Sequence, residues 1–357
     1  MIRSGPLLLA ALVAGGTLSM PLLAQKAGKG VSRQDEASLV WPPPPASARI
    51  KWVAEYRNEF DVGAKKRRGF LDRLAGKSED VLWLKRPLSV AVDDKGVLYV
   101  GDFGLGVVGM DFAKKRMWTF ASVSEKKLGV PSGLAVDSSR VFATDSNADL
   151  VAVFDKEGHF LMGLGSQDGI SRPVGLAVEE SRDLLLVVNG GKHEVLLYNR
   201  GLKLLKKIGS RGEAEGQFNF PTYATFVPGV GFAVADTGNF RIQLFDFNGK
   251  FLRAWGKVGD SPGTFARPKG IAVDPDNNLY VTDSTACNFQ VLRLDGQPLT
   301  YVGFGGPGKG QFQVPNGIAI GKDGAIYIAD QINFRIQRFQ YLPAPKGPEG
   351  QSDQPKR

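Results

Sequence analysis

Six copies of one short pattern follow one another along this chain. Each copy begins with a proline, continues with a small or turn residue and an alternating apolar run, and then reaches a second short run that ends in Asp or Asn. Successive prolines stand 42 to 48 residues apart. A repeat of this length that is built from period-two strands is typical of a β-propeller, in which each repeat forms one blade. The copies begin at Pro87, Pro131, Pro173, Pro221, Pro268 and Pro315.

The fifth copy shows how one blade is encoded. Four runs with strand character are separated by turn residues, among them Pro275, Asn277 and the pair Asp295-Gly296. One isolated sheet cannot bury both faces, whereas six sheets in a ring bury each other. We therefore predict an all-β fold, a six-bladed β-propeller of four-stranded antiparallel blades. The four predicted strands of the fifth blade are residues 270–274, 279–283, 289–294 and 298–303.

The two ends of the chain predict how the ring closes. The sixth copy supplies three strand-like runs and no fourth, while the alternating run 49–56 ahead of the first copy has no local partner. We predict that this N-terminal run becomes the outer strand of the last blade, because the pairing removes two open sheet edges.

Copies four to six share a further element before the blade. A phenylalanine stands three residues ahead of the proline in each of them, at Phe218, Phe265 and Phe312. We predict that these rings wedge between adjacent blades; stacking on a ligand is the alternative.

Four segments are predicted from the changes in composition. Residues 1–24 have the pattern of a secretory signal peptide with cleavage after Ala24, although an uncleaved anchor stays open. Residues 25–47 form a flexible linker that ends in the Pro-rich run 41–45, residues 48–342 form the propeller, and residues 343–357 form a disordered tail. The signal predicts a periplasmic or secreted protein.

A basic insertion, residues 62–80, falls between the closing strand and the first copy. Phe70, Leu71 and Leu74 share one face of a short helix that cationic side chains surround. The helix either contacts an anionic membrane surface or a partner, or packs its apolar face on the propeller. The residues of the possible contact are Lys65, Lys66, Arg67, Arg68 and Phe70.

Composition excludes several kinds of chemistry. The chain has one cysteine, so it forms no intrachain disulfide, and only two histidines, so a histidine-rich metal site is not expected. No Ser-His-Asp spacing and no glycine-rich phosphate loop is present. We predict no catalytic residue, no metal ligand and no cofactor. The residues that end the second strands are predicted to accept backbone N–H bonds within turns: Asp102, Asp145, Asn189, Asp236, Asp283 and Asp330.

The loops after the second strands break the symmetry and predict a binding face. Aromatic and basic side chains there, with residues at the blade starts, suit a protein or peptide partner. That the phenylalanines fold down between the loops instead is equally open. The predicted partner-binding residues are Phe103, His193, Tyr223, Phe240, Arg241, Lys269, Asn316, Phe334 and Arg335.

Several phrases resemble the NHL repeat, notably residues 236–246, 268–274 and 279–283. The resemblance covers about residues 86–340. The layout, with a signal, a Trp-Pro-Pro-Pro-Pro segment and an Arg-Ile strand, resembles exported bacterial NHL proteins, some of which occur beside secreted multihaem cytochromes. This chain has no Cys-x-x-Cys-His motif and so binds no c-type haem itself.

The resemblance implies a non-catalytic scaffold for protein–protein interaction in an envelope or extracellular complex, an electron-transfer complex or another secreted one. A monomer is expected, nucleic acid is not expected as a partner, and peripheral membrane contact stays open. The alternative is a metal-dependent propeller hydrolase or lyase, lactonase-like, with its site in the central channel. An inward-facing cluster of Glu179, Asn189 and Asp236 would favour this enzyme.

Overall fold

Six antiparallel sheets surround one axis in the computed structural model, which describes residues 39–65, 81–124 and 126–343. The innermost strand of each blade contacts those of both neighbouring blades, and the last contacts the first, which closes the ring. The predicted fold class, a six-bladed β-propeller, is confirmed. No helix among the described residues is long and apolar enough to cross a membrane.

Two strands precede the first blade, and each of the first three blades then runs from the axis outward as four consecutive strands. The N-terminal strands are β1 (Val40–Trp41) and β2 (Ile50–Tyr56). Blade one has β3 (Pro87–Val92), β4 (Leu98–Asp102), β5 (Gly106–Asp111) and β6 (Arg116–Phe120), followed by a hairpin of β7 (Ser122–Val123) and β8 (Lys126–Lys127). Blade two has β9 (Pro131–Val136), β10 (Arg140–Asp145), β11 (Leu150–Asp155) and β12 (Phe160–Leu164). Blade three has β13 (Pro173–Glu179), β14 (Leu184–Asn189), β15 (Glu194–Asn199) and β16 (Leu204–Ile208).

The remaining blades keep this order, and blade six lacks a fourth strand of its own. Short 3₁₀ turns interrupt the loops at Ser166–Asp168, Glu180–Arg182, Gly190–Lys192 and Thr237–Asn239. Blade four has β17 (Ala224–Val227), β18 (Gly231–Asp236), β19 (Arg241–Asp246) and β20 (Phe251–Trp255). Blade five has β21 (Pro268–Val273), β22 (Leu279–Asp283), β23 (Asn288–Leu292) and β24 (Pro298–Val302). Blade six has β25 (Pro315–Ile320), β26 (Ala325–Asp330) and β27 (Arg335–Tyr341).

The N-terminal strand completes blade six, as predicted. β2 pairs antiparallel with β27, and the indole of Trp52 donates a 3.0 Å hydrogen bond to the Gln337 side chain. β1 adds a fifth strand beside β2, and Trp41 packs against Phe339. The Pro-rich segment therefore begins inside the sheet, whereas the sequence placed all of residues 25–47 in a linker.

The core consists of apolar clusters that lie between blades. Each blade–blade interface of the described ring holds one of them, and the members come from facing strands of both blades. Phe218, Phe265 and Phe312 are fully buried in three of these interfaces, so the predicted wedge role is confirmed.

Close backbone approach near the axis explains the glycine in the third position of four copies. A Cβ on Gly133 would lie 2.0 Å from the carbonyl oxygen of Val174 in the next blade. A Cβ on Gly270 would lie 2.3 Å from the carbonyl oxygen of Asn316. No side chain fits at such distances, so the innermost strands touch backbone to backbone and keep the central channel narrow.

Four predicted segments lie wholly or mostly outside the described residues: the signal peptide, the linker up to residue 38, the C-terminal tail from residue 344 and the basic insertion from residue 66. Of the predicted membrane or partner contacts, Lys65 is described and Lys66, Arg67, Arg68 and Phe70 are not.

Candidate functional site

One end of the ring carries both sets of predicted site residues. The start of each innermost strand pairs with the end of the second strand, for example Pro268 with Asp283 and Pro315 with Asp330. The blade starts and the loops after the second strands therefore share one end of the ring, which we call the upper face.

The residue that ends each second strand is part of the scaffold. The carboxylate of Asp236 accepts hydrogen bonds from the Asn219 backbone N–H and from the side chains of Asn239, Arg241 and Gln243, at 2.7 to 3.1 Å. Asp236 is fully buried. The Asp-x-x-Asn-x-Arg-x-Gln spacing thus encodes one hydrogen-bonded cluster, in which the left-handed turn directs four side chains to the same point.

Both arginines of the predicted partner-binding face, Arg241 and Arg335, belong to such clusters. Arg241 binds Asp236 through Nε and donates to the carbonyl oxygens of Ala214 and Gln217 in the preceding connection. Arg335 makes the same contacts in blade six and also pairs with Glu55 of the closing strand; its side chain is 1% exposed. These guanidinium groups tie the ring together and have little surface left for a partner.

Blade one lacks this cluster. The residues three, five and seven places after Asp236 are Asn, Arg and Gln, whereas the residues at the same distances after Asp102 are Leu105, Val107 and Gly109. One carboxylate oxygen of Asp102 accepts the backbone N–H groups of Lys85 and Arg86, and the other is buried without a partner. Burial raises the pKa of Asp102 from 3.8 to about 6, against the lowering effect of the two N–H donors.

A left-handed backbone position recurs in the loops of the upper face. It lies four residues after the end of the second strand, with φ between 51° and 55° in five blades, and its residues are Asp149, His193, Phe240, Cys287 and Phe334. A side chain costs about 1 to 2 kcal/mol there, and asparagine or glycine is the usual occupant. Phenylalanine occupies this strained position in blades four and six.

His193 is buried rather than displayed. Its Nδ1 accepts the backbone N–H of Phe220 at 3.1 Å, and the two rings pack with centroids 4.4 Å apart. His193 therefore holds Phe220, which is 52% exposed, in place at the upper face. Phe220 was not predicted from the sequence, although its position next to Pro221 at a blade start was visible.

The predicted phenylalanines differ in exposure. Phe103 and Phe334 are 45% and 51% exposed, whereas Phe240 is half-buried. Two apolar residues that the sequence reasoning missed, Phe304 and Ile332, are also exposed on this face.

A cavity of about 360 Å³ opens at the centre of the upper face. Each blade lines the cavity with the residue that follows the proline at the start of its repeat. The cavity is therefore the mouth of the central channel. These six residues are Leu88, Ser132, Val174, Thr222, Lys269 and Asn316. Lys269 and Asn316, predicted as partner-binding residues, are thus brought together here.

Tyr223 helps form the base of the cavity. It stands at the position where four other copies have glycine. Its hydroxyl donates a hydrogen bond of 2.6 Å to the carbonyl oxygen of Ser132 and also lies 3.2 Å from the carbonyl oxygen of Leu88. The ring therefore spans the channel from blade four to blades one and two. Burial raises the pKa of Tyr223 well above its ordinary value, which keeps the phenol neutral.

The charged groups at the cavity are all cationic. Lys269, Arg172 and Arg267 line it, while no described Asp, Glu or His does so. Burial and the neighbouring Arg267 lower the pKa of Lys269 from 10.5 to about 8. No described carboxylate forms an ion pair with any of these three cations.

The ligand set of the enzyme alternative does not come together. Asn189 lies at the upper end of blade three, where its amide binds the Ser171 N–H and the Glu194 carboxylate. Glu179 lies at the opposite end of the same blade, paired with Leu184 and bonded to Ser181. Asp236 is held within blade four. No group of three His, Cys, Asp or Glu residues in the described ranges is placed to hold a metal ion.

Comparison with known sequence families finds NHL repeats in part of the ring. The NHL repeat matches residues 265–294 and 312–339, which lie in blades five and six. Blades five and six therefore contain NHL repeats, and the ring as a whole is a six-bladed β-propeller. A comparison with curated proteins finds no significant match.

Solved structures share the propeller at low sequence identity. A structural genomics protein of unknown function from Bacteroides thetaiotaomicron is similar with a TM-score of 0.57 at 19% identity, over 72% of this chain and 70% of that one. Virginiamycin B lyase from Staphylococcus aureus gives 0.53 at 14% identity, over 72% and 95%. Kuenenia stuttgartiensis hydrazine synthase gives 0.51 at 12% identity, over 73% and 96%. At these identities the likeness shows the fold alone.

Proposed function

We propose that this NHL propeller is an exported, non-catalytic binding module that docks a protein partner on its upper face. The observation that carries the proposal is a group of exposed apolar side chains at blades one and six and in the connection from blade five to blade six. We call this group the rim; its members are Phe103, Phe304, Ile332 and Phe334. Large apolar side chains grouped on one face are typical of surfaces that a partner covers.

Polar contacts hold the rim together. The Asn333 amide donates to the carbonyl oxygen of Gly306, which links the loop of Ile332 and Phe334 to the connection that carries Phe304. The Arg86 guanidinium lies 5.7 Å from the centre of the Phe103 ring. With the Gln331 amide oriented so that its oxygen faces Arg86, the same guanidinium donates two hydrogen bonds to that oxygen, at 2.7 and 2.9 Å. The rim is therefore preorganised, which reduces the entropy lost on docking.

The partner we propose presents apolar and acidic groups together. Apolar groups match the rim, and acidic groups match Arg172, Arg267 and Lys269 around the cavity on the same face. The net charge of +9 favours encounter with such a partner. Export is supported by the signal-like pattern of residues 1–24. No lyase chemistry is proposed, since the cavity has no acidic or histidine side chain in its described lining.

The test is capture of the partner by the tagged mature protein from its own cell envelope, with a matched pair of variants. Phe334→Asn removes an apolar rim side chain and puts a residue that tolerates the left-handed backbone in its place, so the fold should not weaken. Leu205→Asn removes an equally exposed apolar side chain, 50% against 51%, from an outer strand away from the upper face.

We expect the parent and Leu205→Asn to recover the same protein and Phe334→Asn to lose it, with Tm unchanged or slightly raised. Equal recovery by both variants, or no specific protein with the parent, would refute the proposed face.

A further inference from the structure

We propose that the central cavity of the upper face binds an organic carboxylate, with the Lys269 ammonium as the group that pairs with it. The proposal rests on the proposed function only in using the same face. A small acid and the carboxylate of a partner's chain offer the same chemistry, and the experiment separates the two sources.

Shape and lining favour an organic ligand. The cavity of about 360 Å³ lies within the usual range for small-molecule sites. Leu88, Val174 and Phe220 form apolar wall, while Lys269 and Asn316 of adjacent blades provide polar wall. A ligand with one anionic end and one apolar body complements this arrangement, whereas a bare inorganic ion leaves the apolar wall uncovered.

The charges indicate an anion. Lys269 is held partly buried at the channel mouth with Arg267 near it, and the described lining of the cavity has no carboxylate to offset its charge. Removing a cation from water in this way carries a desolvation penalty, and a bound anion offsets that penalty. The two arginines that line the cavity, Arg172 and Arg267, are exposed and attract anions from solution.

The base of the cavity sets the depth that a ligand reaches. Tyr223 spans the channel below the six post-proline residues, and its hydroxyl is already used by the carbonyl oxygens of Ser132 and Leu88. A ligand therefore stays in the mouth, with its carboxylate at the level of Lys269 and its apolar part against blades one and three.

Affinity should depend on pH through Lys269. The charged or titratable groups that line the cavity with it are Arg172, Arg267 and Tyr223, and burial raises the pKa of Tyr223 so that its phenol stays neutral. Because burial and Arg267 place the pKa of Lys269 at about 8, the free site loses its proton within this range. A carboxylate ligand is ionised throughout. Its Kd should be constant below about pH 7.5 and weaken by up to tenfold per pH unit above 8.

The experiment is calorimetric titration of the purified mature protein, without any partner. The probes are phenylacetate, its neutral counterpart phenylacetamide, inorganic phosphate, and one peptide that ends in phenylalanine, made with a free and with an amidated C-terminus. The variants are Lys269→Met and, as a control, Lys250→Met, which removes an exposed lysine elsewhere. Loss of a buried unpaired cation should raise the Tm of Lys269→Met, so weaker binding cannot be ascribed to unfolding.

We expect an acid to bind at least tenfold more tightly than its amide, Lys269→Met to lose at least tenfold in affinity, and Lys250→Met to behave as the parent. Preference for phenylacetate indicates a small-molecule ligand, and preference for the free-acid peptide indicates the end of a partner chain. The pH profile of the parent is a second test that needs no variant. Equal binding of acid and amide, no loss in Lys269→Met, a flat pH profile or binding of phosphate alone would each overturn the proposal. If only this proposal fails, Phe334→Asn still loses the partner.

Discussion

Replacing Asp102 by asparagine should stabilise this protein at neutral pH. The Asp102 carboxylate is fully buried, lacks the arginine that its counterparts in blades four and six have, and leaves one oxygen without a partner. Its pKa of about 6 lies above the 3.8 of the unfolded chain, so between these values the folded chain holds a proton that the unfolded chain has released. Stability therefore falls as pH rises through this window, and the deficit at pH 7.5 is about 3 kcal/mol at most.

The assay is thermal unfolding of parent and Asp102→Asn between pH 4 and 8. Asparagine keeps an acceptor for the Lys85 and Arg86 N–H groups and carries no charge, as Asn189 does in blade three. We expect Tm to rise by about 3 to 6 °C at pH 7.5, and the gain to shrink to nearly zero below pH 4.

Asp236→Asn is the matched control, with the opposite expected sign. It deprives Arg241 of its carboxylate, and a buried cation left alone costs on the order of 3 kcal/mol. A gain from Asp102→Asn that is the same at every pH, or a loss of Tm at pH 7.5, would refute the role assigned to the unpaired carboxylate.

Three further substitutions test the architecture by the shift in Tm. Tyr223→Ala should destabilise by about 3 to 5 kcal/mol, because it empties the channel and removes the bond to the Ser132 carbonyl, and a loss below 1 kcal/mol would contradict the packing. Gly133→Ala should unfold the ring or lower Tm strongly, since its Cβ meets a carbonyl oxygen at 2.0 Å, whereas Gly129→Ala, with 3.7 Å of space, should be tolerated. Trp52→Ala should weaken the ring closure by about 3 kcal/mol or more, while a change at the exposed Val53 of the same strand should stay within about 0.5 kcal/mol.

The sequence predicted the blades because each blade is a local unit. Period-two runs, Asp-Gly turns and the regular prolines are all contained within one repeat, and the missing fourth strand of the last copy predicted the pairing of β2 with β27. The pairing of Val40 and Trp41 with β2 could not be predicted from the sequence, because it depends on packing against Phe339 near the other end of the chain.

The site was harder to predict, since its residues are defined by contacts between repeats. Arg241 looks like a rim residue in the sequence, yet the carbonyl oxygens that bury it lie 24 and 27 residues earlier, in a connection of no regular structure. Tyr223 was predicted at the blade start, and only the ring geometry shows that it crosses the channel. His193 likewise serves as a support for Phe220, which the sequence reasoning overlooked.

The six copies have six different residues at the position that follows the proline. Residues one place further along touch the backbone of the next blade, and four of the six are glycine. The residues that follow the prolines are free of that constraint and are Leu, Ser, Val, Thr, Lys and Asn. A ring brings these six positions to one point, so apolar, hydroxyl, amide and ammonium groups line a single cavity. In a repeated scaffold this is the place where a specific site can arise without loss of blade packing, and Lys269 is the one charged residue among these six.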